Sequence, residues 1–312
     1  MQSLIILAVV GLIAQLVDGS LGMAYGVTSS TLLITAGIAP AAASAAVHFS
    51  ELGTTVASGI AHHKLGNVDW RTVRIIALPG GIGAFAGATI LSNIDGDAAK
   101  PWVAALLLGL GLYVMWRFLV LGGKRQTFKG GVSGLFLAPL GLVAGLMDAI
   151  GGGGWGPVGT TTLLSTGRLE PRKVVGSIDA SEFIVAIGGS VGFLLALGSQ
   201  GIDFTIALAL LVGGVIAAPF AAWLVRHMAP RVLGVAAGGL IVITNLRTIL
   251  IAVGIKDVAL LAMLGGLLAG WLVLVVWTVR KERATRRAER AEIALSDAAG
   301  AAVGDAAEAA PA

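Results

Sequence analysis

The sequence predicts an all-α, polytopic integral membrane protein with two inverted-topology repeats, short glycine-broken or re-entrant helices, and one extra C-terminal transmembrane helix. Three observations predict this class: the composition, a series of long apolar segments, and an internal repeat. Of the 312 residues, 56 % are hydrophobic and only 12 % are charged, and the mean hydropathy is +0.92. Soluble domains carry roughly twice this share of charged residues. The composition therefore excludes an ordinary water-soluble fold.

The apolar segments give the predicted membrane crossings. Long ones lie at 40–62, 72–92, 101–121, 171–198, 205–226, 230–253 and 257–279. Each is long enough to cross a hydrocarbon core of about 30 Å as a helix. Two further pairs, 2–17 with 22–37 and 131–147 with 154–167, are shorter and are joined by glycine-rich breaks. The sequence leaves open whether these pairs are tilted short helices or re-entrant hairpins.

The basic residues predict the orientation, because short cytoplasmic loops retain Lys and Arg. The basic clusters are Lys64 with Arg71 and Arg74; Lys124, Arg125 and Lys129; Arg168, Arg172 and Lys173; Arg226 and Arg231; and the run from Arg280 to Arg290. An even number of crossings separates consecutive clusters, so all of them can share the cytoplasmic side. We therefore predict a multi-pass protein with its N-terminus outside and its C-terminus inside.

Charge and cysteine content limit the partners and the chemistry. The net charge is +4 and the pI is about 9.7, but the excess lies in membrane-flanking loops and the tail, so we expect membrane lipid and no nucleic acid as partners. The chain has no cysteine, which excludes disulfides, thiolate metal sites and a cysteine nucleophile. No Lys or Arg precedes the first apolar run, so we expect no cleaved signal peptide.

An internal repeat relates the two halves of the chain. At an offset of 130, GLIAQLVDGSLGMAYG from Gly11 aligns with GLVAGLMDAIGGGGWG from Gly141, which pairs Asp18 with Asp148. Each half contains an odd number of crossings, so the two copies run in opposite directions through the bilayer, as in many secondary transporters. The predicted units are a first repeat at 1–122, a second repeat at 130–253, the extra helix at 257–279, and a basic and then disordered cytoplasmic tail at 280–312.

The repeat also pairs acidic residues inside the predicted spans. After a one-residue slip, HFSELG from His48 aligns with DASEFI from Asp179, which pairs Glu51 with Glu182. Charges within apolar segments are costly and usually functional, and burial favours the neutral form of a carboxylate. The residues predicted to couple transport to protons or ions are Asp18, His48, Glu51, Asp148, Asp179 and Glu182.

Structural roles for these residues stay open. A second interpretation of each Glu is a protonated group that bonds to a neighbouring helix. A second interpretation of Asp18 and Asp148 is that they are N-caps of the helices that follow the glycine breaks. His48 and Asp179 fit a structural role as well as a functional one. His62 and His63, at the end of their segment, are predicted to be interfacial.

The glycine breaks predict the binding site. Non-helical backbone at membrane depth is tolerated where it lines a cavity or is buried in protein, and a helix N-terminus there favours an anion. Serine and threonine residues follow both breaks, although such hydroxyls often bond within their own helix. The predicted substrate-binding residues are Gly22, Tyr25, Gly26, Ser29, Ser30, Thr31 and Ser50 in the first half, and Gly152, Gly153, Gly154, Trp155, Thr160, Thr161 and Ser181 in the second.

The paired segments GLIAQLVDGSLGMAYG and GLVAGLMDAIGGGGWGPVGTTTLL, each followed by a helix with central polar residues, resemble the sulfite exporter TauE/SafE family of bacterial membrane transporters. The resemblance covers residues 1 to about 279. It implies export, and in some members uptake, of small sulfur oxyanions or organosulfur compounds across the bacterial inner membrane, without enzymatic turnover. The first copy has Met23, Ala24 and Tyr25 where the second has glycines and Trp155, so the two half-sites need not bind equally.

These observations predict a secondary transporter that exports a small sulfur-containing oxyanion, such as sulfite, a sulfonate or a related organosulfur anion, with proton or ion coupling. We expect no catalytic residues, no metal site and no cofactor, and a homo-oligomer stays open. An alternative is a cation or metal transporter or channel, because the predicted acidic interior has no clear buried Lys or Arg to pair with it. A third hypothesis is an intramembrane enzyme or assembly factor, for which the sequence offers neither a cysteine nor an HExxH motif.

Overall fold

The computed structural model describes residues 2–21, 24–120, 130–227, 230–255 and 257–308, and every regular element in these ranges is helical. The helices are α1 (Gln2–Leu21), α2 (Tyr25–Thr35), α3 (Pro40–Lys64), α4 (Trp70–Ser92), α5 (Gly96–Val120), α6 (Gly134–Gly151), α7 (Thr161–Ser165), α8 (Pro171–Leu197), α9 (Phe204–His227), α10 (Pro230–Ala252) and α11 (Asp257–Glu308). A π-helical turn, Trp155–Thr160, leads into α7, and a 3-10 turn, Ser199–Gly201, precedes α9.

Six of the described helices are long and apolar enough to cross a membrane, which confirms a multi-pass membrane protein: α4, α5, α6, α8, α10 and α11. Shorter apolar stretches lie in α1 (Leu4–Leu16) and α9 (Phe204–Ala217). The predicted span at 40–62 is not among the six, although α3 has 25 residues. Buried polar side chains such as His48 and Glu51 explain this difference, because they lower the hydropathy of α3 and face protein.

The segments around the glycine breaks consist of one long helix and one half-helix, meaning a helix too short to cross the bilayer. α1 and α6 have 20 and 18 residues, longer than the sequence suggested. α2 has 11 residues, and its counterpart is a 6-residue π-helical turn followed by the 5-residue α7. Crossing a core of about 30 Å takes about 20 helical residues, so neither half-helix can span alone.

The two halves of the chain exchange helices in the packed structure. α1 packs along α9, whereas α6 packs along α4, which also contacts α8. α5 packs against α10, and α3 contacts both α8 and α9. The half-helices therefore lie in a core to which both halves contribute.

The last helix differs from the sequence prediction at its C-terminal end. α11 packs against α10, where the Trp271 indole nitrogen donates to the Val235 carbonyl at 3.2 Å. It then continues to Glu308, through the part after about 295 for which the composition predicts disorder. Alanine is frequent there and has the highest intrinsic helix propensity. The predicted basic cluster of Lys124, Arg125 and Lys129 lies outside the described residues.

Candidate functional site

An aspartate holds the first residues of each half-helix. Asp148 Oδ1 accepts hydrogen bonds from the amides of Gly154 and Trp155, at 2.6 and 3.0 Å. Asp18 Oδ1 accepts from the Tyr25 amide at 3.1 Å. These bonds cap the helices, which is the structural role that the sequence analysis gave as an alternative for Asp18 and Asp148. A carboxylate of the protein itself therefore takes the place at which the sequence predicted a bound anion.

The two glycine breaks pack directly against each other. A Cβ atom added to Gly26 would lie 2.5 Å from the Gly152 carbonyl oxygen, and one added to Gly153 would collide with the Val27 amide nitrogen. Gly152 has a left-handed φ of 66° and ends α6. The Ser30 hydroxyl donates to its carbonyl at 2.7 Å. The breaks therefore form a close backbone contact between the two halves. Gly22, the remaining predicted residue of the first break, lies outside the described residues.

Most of the predicted substrate-binding hydroxyls bond to protein groups. Three donate to carbonyls of their own helical segment: Ser50 to Val47, Ser181 to Ile178, and Thr161 to Pro157. Thr31 accepts from the Asn245 side chain at 3.0 Å. The hydroxyls of Ser29 and Thr160 are buried with no hydrogen-bond partner among the described residues.

The two aromatic residues that begin the half-helices take different positions. Tyr25 lines both cavities described below, and its hydroxyl lies 3.1 Å from Ser50 Oγ and donates to the Leu210 carbonyl at 3.3 Å. Trp155 is fully buried, and its indole nitrogen donates to the Ile178 carbonyl at 3.0 Å. Trp155 therefore anchors its half-helix in the core.

The acidic residues and His48 form two groups that are related by the repeat. The buried triad is His48, Glu51 and Asp148, whose residues are 0, 2 and 1 % exposed. The cavity triad is Asp179, Glu182 and Asp18, the repeat equivalents of those residues in the same order, and all three are partly exposed. In the buried triad, His48 Nε2 lies 3.3 Å from Asp148 Oδ2. One ligand atom from each of its three side chains lies within 4.8 Å of the other two.

The cavity triad lines two small cavities. The first has a volume of about 10 Å³ and is also lined by Asp148 and by glycines of both breaks. The second has a volume of about 20 Å³ and is also lined by Glu51. The described residues that line the two cavities include no Lys or Arg. Such a site is chemically suited to protons and cations, and binds an anion only when these acids are neutralised.

His62 is a residue that the sequence analysis placed at the interface and that the structure places beside the cavity triad. Its Nε2 atom lies 3.9 Å from Asp179 Oδ2, and the two side chains are 25 and 16 % exposed. The spacing of polar residues on α3 indicates that His62 lies on the same face as Glu51. Glu51, Thr55, Ser58 and His62 recur every three to four residues and therefore share one helix face.

Comparisons with known proteins identify the family of the chain. Residues 7–248 match the family model described as sulfite exporter TauE/SafE. The chain is 51 % identical over 255 residues to the probable membrane transporter protein YtnM of Bacillus subtilis (strain 168), which covers 80 % of this chain and 84 % of that protein.

More distant relatives carry similar names. The probable membrane transporter protein YdhB of the same strain is 25 % identical over 162 residues, or 51 % of this chain and 64 % of that protein. A probable membrane transporter protein of Xylella fastidiosa (strain 9a5c) is 30 % identical over 163 residues, or 44 % of this chain and 62 % of that protein. No solved structure matches the chain. The match over most of the chain confirms the resemblance drawn from the glycine-rich repeats: the chain belongs to the sulfite exporter TauE/SafE family of membrane transporters.

Proposed function

We propose that the chain is a secondary transporter that exports a small sulfur-containing oxyanion, such as sulfite or a sulfonate, and couples export to a proton or cation. The observation that carries the proposal is the meeting of two capped half-helices at one acid-lined site. Broken helices that meet between two repeats are the usual setting of a solute site in secondary transporters. The family supplies the solute class, since its model is described as sulfite exporter.

Matched contacts support an inverted repeat. A Cβ atom added to Gly11 would collide with the Leu210 carbonyl, and one added to Gly141 would lie 2.6 Å from the Ile76 carbonyl. Gly11 and Gly141 are equivalent at the offset of 130. Ile76 and Leu210 are each the seventh residue of their helix, α4 and α9 respectively. The same packing contact therefore recurs when the two halves are exchanged, as a two-fold axis between them requires.

The cavities indicate that the solute needs a conformational change. About 10–15 Å³ is the least that holds one water molecule, and the two cavities measure about 10 and 20 Å³. A sulfur oxyanion is larger than either. We propose that this conformation is closed around the site, and that His62, near the basic end of α3, marks the cytoplasmic approach. This assignment keeps the N-terminus outside and the C-terminus inside.

Protons at the cavity triad would reconcile an acidic site with an anionic solute. Asp18, Asp179 and Glu182 line both cavities, with Asp148 on one and Glu51 on the other. When these carboxylates are charged, they repel an oxyanion at short range. When they are neutral, this repulsion is absent. Proton uptake and anion binding would then favour each other. The two would therefore cross the membrane in the same direction, and the outward gradient of the anion would drive its export.

This coupling predicts a specific change in Glu182→Gln. The variant is permanently neutral at this position. We therefore expect flux of a sulfonate, which stays a monoanion across this pH range, to lose most of its dependence on pH in proteoliposomes, while the wild type keeps it. The matched control is Asp97→Asn, because Asp97 is an exposed acid that pairs with Lys100 and lines neither cavity, and we expect the wild-type profile there. A wild-type pH profile in Glu182→Gln would contradict the coupling role.

Cation transport is the second candidate, and the acid-lined cavities without a described basic residue favour it. The two candidates predict different ligands. If the proposed function is right, sulfite or a sulfonate will raise the melting temperature of the purified protein more than carboxylates do, and flux of the anion will be measurable. Stabilisation by divalent cations without any anion flux would instead favour cation transport.

A further inference from the structure

The buried triad contains three polar atoms that the protein leaves without an ordinary partner. The three atoms are buried and form no hydrogen bond within the described residues: His48 Nε2, Glu51 Oε2 and Asp148 Oδ2. His48 Nε2 and Asp148 Oδ2 lie 3.3 Å apart. Buried polar atoms in folded proteins are almost always satisfied. Three such atoms from neighbouring side chains therefore indicate a bound group.

The side chains of His48 and Asp148 are each held by a hydrogen bond to the polar atom that does not face the triad. His48 Nδ1 lies 2.9 Å from the Ser44 carbonyl, which can only accept, so Nδ1 carries the hydrogen and Nε2 of the neutral ring has a free lone pair. Asp148 Oδ1 accepts the amides of Gly154 and Trp155, which leaves Oδ2 to face His48. Histidine and carboxylate ligands of metal ions are oriented in this way by bonds to their second polar atom.

The ring of His48 is also held by packing. It lies edge-on to Phe193, with 5.7 Å between the ring centroids. A Cβ atom at Gly189 would collide with the same ring, so α8 approaches it closely. Two residues of α8, Gly189 and Phe193, therefore pack against the ring and restrict its orientation.

We propose that His48, Glu51 and Asp148 bind one divalent transition-metal ion of the zinc class. Ligands at about 2.0–2.1 Å from a tetrahedral zinc ion are about 3.3 Å apart, and His48 Nε2 and Asp148 Oδ2 are separated by 3.3 Å. Glu51 offers the third ligand atom within 4.8 Å of the other two, so its carboxylate must move closer for all three to bind one ion. We expected no metal site from the sequence, in which His48 and Asp148 are 100 positions apart.

Charge balance favours this ion. A neutral imidazole and two carboxylates carry a charge of −2, which one divalent cation cancels, and a buried site is costly unless its charge is balanced. One nitrogen and two oxygen ligands suit Zn²⁺, Co²⁺ or Mn²⁺ better than the sulfur-preferring Cu⁺. The repeat-related cavity triad has Asp179 in place of His48 and so lacks the nitrogen ligand within its own three residues.

The site borders both cavities. Asp148 lines the first cavity and Glu51 lines the second, and both cavities include the partly exposed cavity triad. Two of the three ligands therefore lie next to the cavity triad. The inference goes beyond the proposed function, because it assigns a binding site whichever solute the protein moves.

The test is equilibrium metal binding to purified, tag-free, full-length protein in detergent, without solute or gradient. We expect ZnCl₂ to bind at one ion per chain by calorimetry, and CoCl₂ to give the visible absorption of a low-symmetry nitrogen and oxygen site. His48→Gln and Glu51→Gln should each weaken binding by about tenfold or more. Asp97→Asn is the matched surface control and should bind as the wild type does. Binding should weaken from about pH 7.5 to about pH 5.5, because the ligands must be deprotonated.

Several results would overturn the assignment. The first is wild-type protein that binds neither metal although thermal unfolding and gel filtration show that it is folded. A hydrogen bond between His48 and Asp148 would then explain their short distance. Loss of binding in Glu182→Gln, with binding kept in Glu51→Gln, would place the ion in the cavity triad. Loss of metal binding in the double variant His62→Ala, His63→Ala, with binding kept in His48→Gln and Glu51→Gln, would place the ion at the end of α3. Because no solute is present, none of these results bears on oxyanion export.

Discussion

Gly153→Ala is expected to abolish transport and to lower the stability of the purified protein by about 1–3 kcal/mol or more. A Cβ atom at this position would collide with the Val27 amide nitrogen and the Gly26 carbonyl carbon, in the first turn of α2. Both are backbone atoms, so no flexible side chain can move aside. The two half-helices would have to separate, which displaces the groups that line the cavities. The measurements are thermal unfolding in detergent and solute flux in proteoliposomes.

Gly109→Ala is the matched control for this change. Gly109 lies on the exposed face of α5, and a Cβ atom there would meet nothing within 4 Å. Alanine is the better helix former by about 1 kcal/mol, so this variant should be as stable as the wild type or slightly more stable. If Gly153→Ala unfolds at the wild-type temperature and transports normally, the two breaks are not in the contact described.

Asp148→Ala is expected to be the most destabilising of the single acid replacements. It leaves the buried amides of Gly154 and Trp155 without their acceptor, and each unsatisfied buried donor costs about 1–3 kcal/mol. Asp18→Ala should cost less, because among the described residues Asp18 accepts one amide, that of Tyr25, and Asp18 is partly exposed. The comparison requires unfolding temperatures of the three proteins in one detergent.

Asp148→Asn separates the capping role from the charge. Its side-chain oxygen can still accept both amides, so most of the lost stability should return. Its neutral amide is a poor metal ligand, so zinc binding at the buried triad should stay weak. Equal unfolding temperatures for Asp148→Ala and Asp148→Asn would show that the amide bonds do not hold the second half-helix.

The sequence was informative wherever a local pattern fixes the structure. Hydropathy predicted the membrane-spanning class, and the alignment of Asp18 with Asp148 located both half-helices before any contact was known. Each aspartate precedes its break by a distance that lets the side chain reach the first amides of the next helix. Such information is contained in a few consecutive residues and is therefore readable from one chain.

The contacts between distant segments could not be read in this way. His48 and Asp148 are 100 positions apart, and their pairing depends on how α3 meets the end of α6. Hydropathy does not identify the neighbour of a helix, because lipid and protein partners are equally apolar. For the same reason the sequence left open which hydroxyls bond within their own helices, as those of Ser50 and Ser181 do.

The exchange of helices between the two halves has a consequence for biogenesis. α1 packs along α9, yet the ribosome completes α9 roughly 10 to 40 s after α1, at about 5–20 residues per second. Throughout that interval the face of α1 around Gly11 has only lipid or an insertion factor to contact. The first half therefore cannot reach its final packing when its own synthesis ends, and a chain that stops there exposes the surfaces of both α1 and α4. Assembly in the membrane is completed only after translation has reached the second half.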